Sequence, residues 1–117
     1  MNPETARSIK KRTITLTNRA PVIILEAEWP IVAMARGASG DAAEYTLRVR
    51  RHADGRAIVY GVVDARTEGG SWRGGEVVDA AGDAGAIAAG LRRVGKDAGI
   101  PERIIASCIA DLPATPL

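Results

Sequence analysis

The chain has 117 residues, of which 46% are apolar and 26% are charged, so it suits one compact domain and excludes wholesale disorder. Its 16 basic and 14 acidic residues leave a net charge of +2, too weak a mean field to indicate nucleic-acid binding by itself. One cysteine cannot form an internal disulfide, and with one histidine it excludes a structural zinc site, which needs four such ligands.

Two short strands open the predicted fold. Apolar and polar residues alternate strictly over residues 12–17, which is typical of a half-buried strand, and Val22–Leu25 is rich in β-branched residues. Turn-forming residues at 18–21 predict that these two strands form a hairpin. Residues 1–11 are polar without periodicity, and we expect them to form a mobile arm.

A second hairpin is the clearest local prediction. Residues 45–52 and 57–64 alternate on either side of an Asp-Gly pair, which favours a two-residue type I′ turn. This turn pairs Val49 with Tyr60, so both side chains lie on the core face. The arginines of the first strand then lie on the opposite face, beside small neighbours.

Three helices are predicted. A short helix is expected at residues 29–36, because Pro30 suits the first helical position and a glycine follows the segment. Asp83 is suited to cap a longer helix that ends at Gly99, and Pro101 begins another.

The complete pattern predicts an α+β domain over residues 12–112, followed by a tail at 113–117. A glycine-rich loop at residues 68–76 (EGGSWRGGE) overlaps the start of a third meander strand at 75–79. We expect an antiparallel sheet of about five strands, built from hairpins and a meander, with the short helix and the two C-terminal helices packed on one face.

No residue pattern indicates catalysis. His52 is the sole histidine and lies beside Arg50 and Arg51, an unfavourable setting for a general base. The segment EGGSWRGGE lacks the Lys and Ser or Thr that follow the last glycine of a phosphate-binding P-loop, and it precedes a strand. We therefore expect no enzyme activity, no metal site and no cofactor.

Basic residues are the remaining functional candidates. We expect a basic row on the second hairpin and a basic N-terminal segment to contact a partner, together with a Trp-Arg pair on the glycine-rich loop. The candidate binding residues are Lys10, Lys11, Arg12, Arg48, Arg50, His52, Arg56, Trp72 and Arg73. Two alternatives stay open: the arginines keep a sheet face solvated, and Trp72 folds back onto the core.

Three segments, TITLTNRAPVIILEAEWPIVA, LRVRRHADGRAIVYGV and WRGGEVV, resemble small accessory proteins of bacterial phages, plasmids and integrated elements. The similarity covers residues 13–79, and that group offers no established activity from which a residue's role could be transferred. The resemblance implies an accessory role in a mobile element, carried out by binding macromolecules of the host or of the element.

The sequence thus predicts a small non-enzymatic binding module that contacts nucleic acid, or a host or element protein that handles it, through the basic hairpin. The alternative is a homodimeric interaction module whose interface is formed by the C-terminal helices, with a stripe of Ile104, Ile105 and Ile109. No apolar run is long enough to span a bilayer, and the N-terminus lacks the apolar segment of a secretory signal. We expect no membrane partner and a cytoplasmic location.

Overall fold

The computed structural model describes residues 10–40, 42–65, 70–79 and 83–113. Its elements in chain order are β1 (Lys11–Ile14), β2 (Val22–Leu25), β3 (Ile31–Ser39), β4 (Ala43–Arg51), β5 (Arg56–Ala65), β6 (Ser71–Asp79), α1 (Ala84–Ala98) and α2 (Glu102–Ala110). β1 and β2 form an antiparallel hairpin, and β3 to β6 form an antiparallel meander in that spatial order. The predicted α+β class is confirmed, but the strands form a sheet of four and a separate pair.

The four-stranded sheet is covered on both faces. On one face the helices bury a helix-side core that includes Leu47, Val49, Val59, Leu91 and Ile105. On the other face the β1–β2 hairpin buries a hairpin-side core of Ile14, Leu16, Ile24, Trp29, Ile58 and Tyr60. Alternate residues of β5 enter different cores, which accounts for the continuous apolar run in that strand.

Residues 29–36, predicted to be a short helix, instead form a bend and the first part of β3. β3 pairs with β4 so that Ala33 lies opposite Val49 and Ala35 lies opposite Leu47. Alanine favours helices when isolated, but strand pairing and burial beneath the C-terminal helices outweigh that preference. The predicted short helix is therefore wrong.

The second hairpin forms with a three-residue turn. His52 N–H donates to the Arg56 carbonyl oxygen at 2.9 Å, and Gly55 N–H donates to the His52 carbonyl oxygen at 3.0 Å. Gly55 has a φ of 99°, which glycine adopts without strain, whereas Asp54 does not adopt a positive φ. The predicted type I′ turn needs two residues with positive φ, so the longer loop replaces it.

The longer loop shifts the strand register by one residue from the prediction. Val49 lies opposite Val59, where the sequence pattern predicted Tyr60. Because successive side chains on a strand point to opposite faces, the shift moves Ile58 and Tyr60 onto the arginine face of β4. That face becomes apolar enough for the β1–β2 hairpin to cover it.

Strand β6 begins at Ser71, within the segment predicted to be a glycine-rich loop. Thr17 attaches the first hairpin to this strand: its N–H donates to the Gly75 carbonyl oxygen at 2.8 Å, and its Oγ1 accepts from Gly75 N–H at 3.1 Å. A Cβ at position 75 would lie 2.6 Å from the Val59 carbonyl oxygen, so the close approach requires glycine. Residues 68–69 of the predicted loop lie outside the described residues.

Both predicted C-terminal helices are confirmed. Asp83 caps α1 by accepting a main-chain N–H at 2.8 Å, and Gly99 ends it with a φ of 71°. No helix in the described part of the chain is long and apolar enough to cross a membrane. Most of the predicted arm at 1–11 and tail at 113–117 lies outside the described residues, whereas Lys11 begins β1.

Candidate functional site

Arg50 is buried between the sheet and the first hairpin and is 5% exposed. Its Nε donates to the Tyr60 hydroxyl at 2.8 Å, and its Nη1 donates to the Trp29 carbonyl oxygen at 3.0 Å. Among the described residues, no ion pair joins it to a carboxylate. Arg50 therefore links strand β5 to the segment that follows β2. Its guanidinium is not available to bind a partner.

His52 and Arg56 are held within the turn of the second hairpin. Arg56 Nε and Nη2 each lie 2.8 Å from Asp54 Oδ2, and the guanidinium carbon lies 5.2 Å from the centre of the Trp29 ring. Asp54 N–H donates to His52 Nδ1 at 3.1 Å. Hydrogen bonds from the Arg56 main chain and side chain lower the pKa of the Asp54 carboxyl. The predicted row of Arg48, Arg50, His52 and Arg56 is not a continuous basic surface.

A basic cleft forms elsewhere on the hairpin side of the sheet. Arg12 of β1, Arg48 of β4 and Arg73 of β6 line a recess of about 60 Å³. Its other lining residues are Thr13, Ile14, Thr15, Tyr60, Gly61, Val62 and Gly74. These residues together are termed the arginine cleft. The fold thus brings together three sequence-predicted binding residues that are far apart in the chain.

Positive charge in the arginine cleft is only partly compensated. Arg12 Nε donates to Glu26 Oε1 at 2.8 Å, and this hydrogen bond lowers the pKa of the Glu26 carboxyl. Within the described ranges, the side chains of Arg48 and Arg73 make no hydrogen bond or ion pair, and no Asp or Glu lines the cleft. Two guanidinium groups can therefore bind an anion, and Glu26 holds the third in place.

The remaining predicted residues take different positions. Lys10 and Lys11 are exposed and directly precede Arg12 at the start of β1. Trp72 is half-buried and packs against the helix-side core, as in the alternative in which it folds back. Because neighbouring residues on a strand point to opposite faces, Trp72 and Arg73 do not form one contact patch.

A wider, open depression of about 520 Å³ lies beside the second hairpin turn. Its lining residues are Ala27, Glu28, Pro30, Val32, Arg51, His52, Ala53 and Gly55. The lining carries groups of both signs, Arg51 and Glu28, and indicates no particular ligand. Across the described ranges, no group of three or more His, Cys, Asp or Glu side chains could hold a metal ion.

Sequence reasoning missed the contributions of Thr13 and Thr15 and the convergence of the three arginines. An available signal was the apolar run at residues 57–63, because a strand that is apolar at almost every position is buried on both faces. That run indicates that the sheet is covered on both faces. The helices can cover one face, and the first hairpin is the element that remains to cover the other.

The arginine cleft is the arrangement on which a functional argument can be based. The chain matches no known family model, and no curated protein or solved structure is significantly similar to it. Function is a property of sites and not of folds, so the chemistry of the cleft itself carries the argument.

Proposed function

We propose that this protein is a small non-enzymatic binding module that contacts nucleic acid through the arginine cleft. The observation that carries the proposal is the convergence of Arg12, Arg48 and Arg73 in one recess without an acidic residue in its described lining. Guanidinium groups form paired hydrogen bonds with phosphate oxygens and are the side chains best suited to phosphate recognition. The accessory role in a bacterial mobile element, which the resemblance implies, is part of this proposal.

The contacts are to phosphate groups and not to base edges. Arg50 is buried, and Arg56 is engaged by Asp54, so the second hairpin presents no row of side chains for reading a groove. Lys10 and Lys11 extend the positive charge from the cleft along the start of β1. Phosphate contacts position a protein on nucleic acid without reading its sequence, so we expect weak sequence preference.

Binding of the purified protein to short single-stranded and duplex DNA and RNA, at about 50 and about 200 mM salt, tests this proposal. The informative variant is Arg48→Gln/Arg73→Gln. Its matched control is Arg92→Gln/Lys96→Gln, which removes the same charge from exposed positions on α1.

We expect affinity to fall steeply with salt. The cleft variant should reduce the slope of log affinity against log salt by about 0.7 on single strands and about 0.9 on duplex DNA, because the one phosphate contact that the two arginines share is lost. The control variant should leave the slope unchanged. Absence of binding to any of these nucleic acids at the lower salt concentration would contradict the proposal.

The homodimer alternative lacks a comparable supporting observation. The apolar faces of α1 and α2 are buried within the chain, with Ile104 and Ile105 each 3% exposed. The large apolar side chains exposed in the described residues lie on strands: Ile23, Leu25, Ile31 and Met34. Sedimentation of the purified protein over a range of concentrations distinguishes a monomer from a dimer.

A further inference from the structure

The arginine cleft is a recess and not a flat basic surface. Its walls come from β1 and the residue that follows it on one side, and from β4, β5 and β6 on the other. Its volume of about 60 Å³ is of the order of one small anionic group. A recess of this size favours a group that projects freely from the end of a molecule.

One of the three guanidinium groups is positioned before any ligand binds, and the stem of a second is confined. Glu26 fixes Arg12 through the hydrogen bond to Nε, which leaves both Nη atoms of Arg12 for another acceptor. Arg48 is half-buried and lies opposite Tyr60 across the strand pair, so its stem is confined. Positioned donors lose less conformational freedom on binding, which raises affinity for a ligand of matching charge and size.

The charge of the cleft matches a phosphate monoester better than a phosphate diester. A monoester carries a charge of about −1.5 to −2 at pH 7 and offers three oxygen acceptors without a substituent. A backbone diester carries a single charge and is flanked by a sugar on each side, which hinders its entry into a recess. Three arginines with one carboxylate partner leave a net charge of the right sign and size for the monoester.

We infer that the arginine cleft binds the terminal phosphate of a nucleic-acid strand. This inference rests on the proposed nucleic-acid function and gives the cleft a specific part in it. Arg48 and Arg73 bind the phosphate oxygens directly, and Arg12 closes the site from the hairpin. Exposed Lys10 and Lys11 contact the phosphates that follow along the strand.

A competition experiment with the full chain tests the inference without requiring a variant. An internally labelled strand of about 12 nucleotides is displaced by unlabelled strands of identical sequence that carry a 5′ phosphate, a 3′ phosphate or only hydroxyl ends. A nucleoside monophosphate is the fourth competitor. We expect a strand with a terminal phosphate to compete about ten-fold or more better than the hydroxyl-ended strand, because charged hydrogen bonds are gained.

The variants then locate the effect. Arg48→Gln and Arg73→Gln, tested singly, should remove the advantage of the phosphorylated strand. Arg92→Gln should retain the advantage, because Arg92 lies on α1 and pairs with Glu102.

Three outcomes would overturn the inference. Equal competition by phosphate-ended and hydroxyl-ended strands would remove the terminal-phosphate site and leave the nucleic-acid function standing. No binding of any strand at low salt would contradict both the terminal-phosphate site and the proposed nucleic-acid function. Competition by the nucleoside monophosphate as strong as that by the phosphorylated strand would show that the cleft binds a free phosphate ester and that the strand is dispensable.

Discussion

Replacing Arg50 with methionine should destabilise the fold, although the substitution removes a buried charge. Methionine preserves most of the apolar stem but leaves the Tyr60 hydroxyl and the Trp29 carbonyl oxygen without their donors. Each orphaned group costs about 1–3 kcal/mol, so the loss is about 2–6 kcal/mol before any compensation. Methionine also removes the desolvation cost of a guanidinium at a position that is only 5% exposed. We therefore expect a net loss in the free energy of unfolding of about 1–4 kcal/mol.

A double-mutant cycle with Tyr60→Phe isolates the contact between the two side chains. The free energy of unfolding is measured by urea denaturation, followed by far-UV circular dichroism, for the wild type, both single variants and the double variant. We expect a coupling energy of about 0.5–3 kcal/mol, because the two groups share one buried hydrogen bond. Arg92→Met, on the exposed surface of α1, is the control and should change stability by less than about 0.5 kcal/mol.

An Arg50→Met protein as stable as the Arg92→Met control would refute the reasoning. So would a coupling energy of zero between Arg50 and Tyr60. Either result would mean that the Arg50 guanidinium is solvated and that the first hairpin does not cover it.

Three further predictions concern the turn, the thiol and the helix contact. Gly55→Ala should lower the free energy of unfolding by about 1–2 kcal/mol, because alanine is strained at a φ of 99°; an unchanged urea midpoint would contradict the three-residue turn. Burial, with a smaller contribution from Asp111, raises the pKa of the Cys108 thiol to about 11, so a thiol reagent near pH 8 should modify it only as the protein unfolds. Modification as fast as that of a free thiol would contradict its burial. Gly95→Ala should lower the melting temperature despite better helix propensity, because the new Cβ would lie 2.5 Å from Ile105 Cδ1, and Ile105→Val should restore part of the loss.

The elements set by local chemistry could be predicted from the sequence. The alternation at residues 12–17, the β-branched run Val22–Leu25 and the cap at Asp83 each depend on a few neighbouring side chains. The structure contains the corresponding elements, although the first strand spans Lys11–Ile14 and ends before residue 17. The pairing of β4 with β5 was also predictable, because alternating runs flank a turn sequence.

Features that depend on distant contacts were not predictable in this way. An Asp-Gly pair fits both a two-residue and a three-residue turn, and the apolar run of β5 suits either register because both of its faces are buried. Residues 31–36 form a strand because β4 lies beside them, which their own side chains do not reveal. The arginine cleft depends on the register of β4 against β5 and on the position of the first hairpin, so the sequence provided its arginines but not their convergence.

Nuclear magnetic resonance of the ¹⁵N-labelled protein, including the arginine Nε–H signals, tests the central claim most directly. The protein is titrated with a terminally phosphorylated single strand. We predict that the largest shifts occur at the Arg48 and Arg73 side chains and at the main-chain amides of Gly61 and Gly74, which line the same cleft. Shifts centred on α1 and α2, or no shifts at a saturating strand concentration, would contradict the claim that the arginine cleft binds nucleic acid.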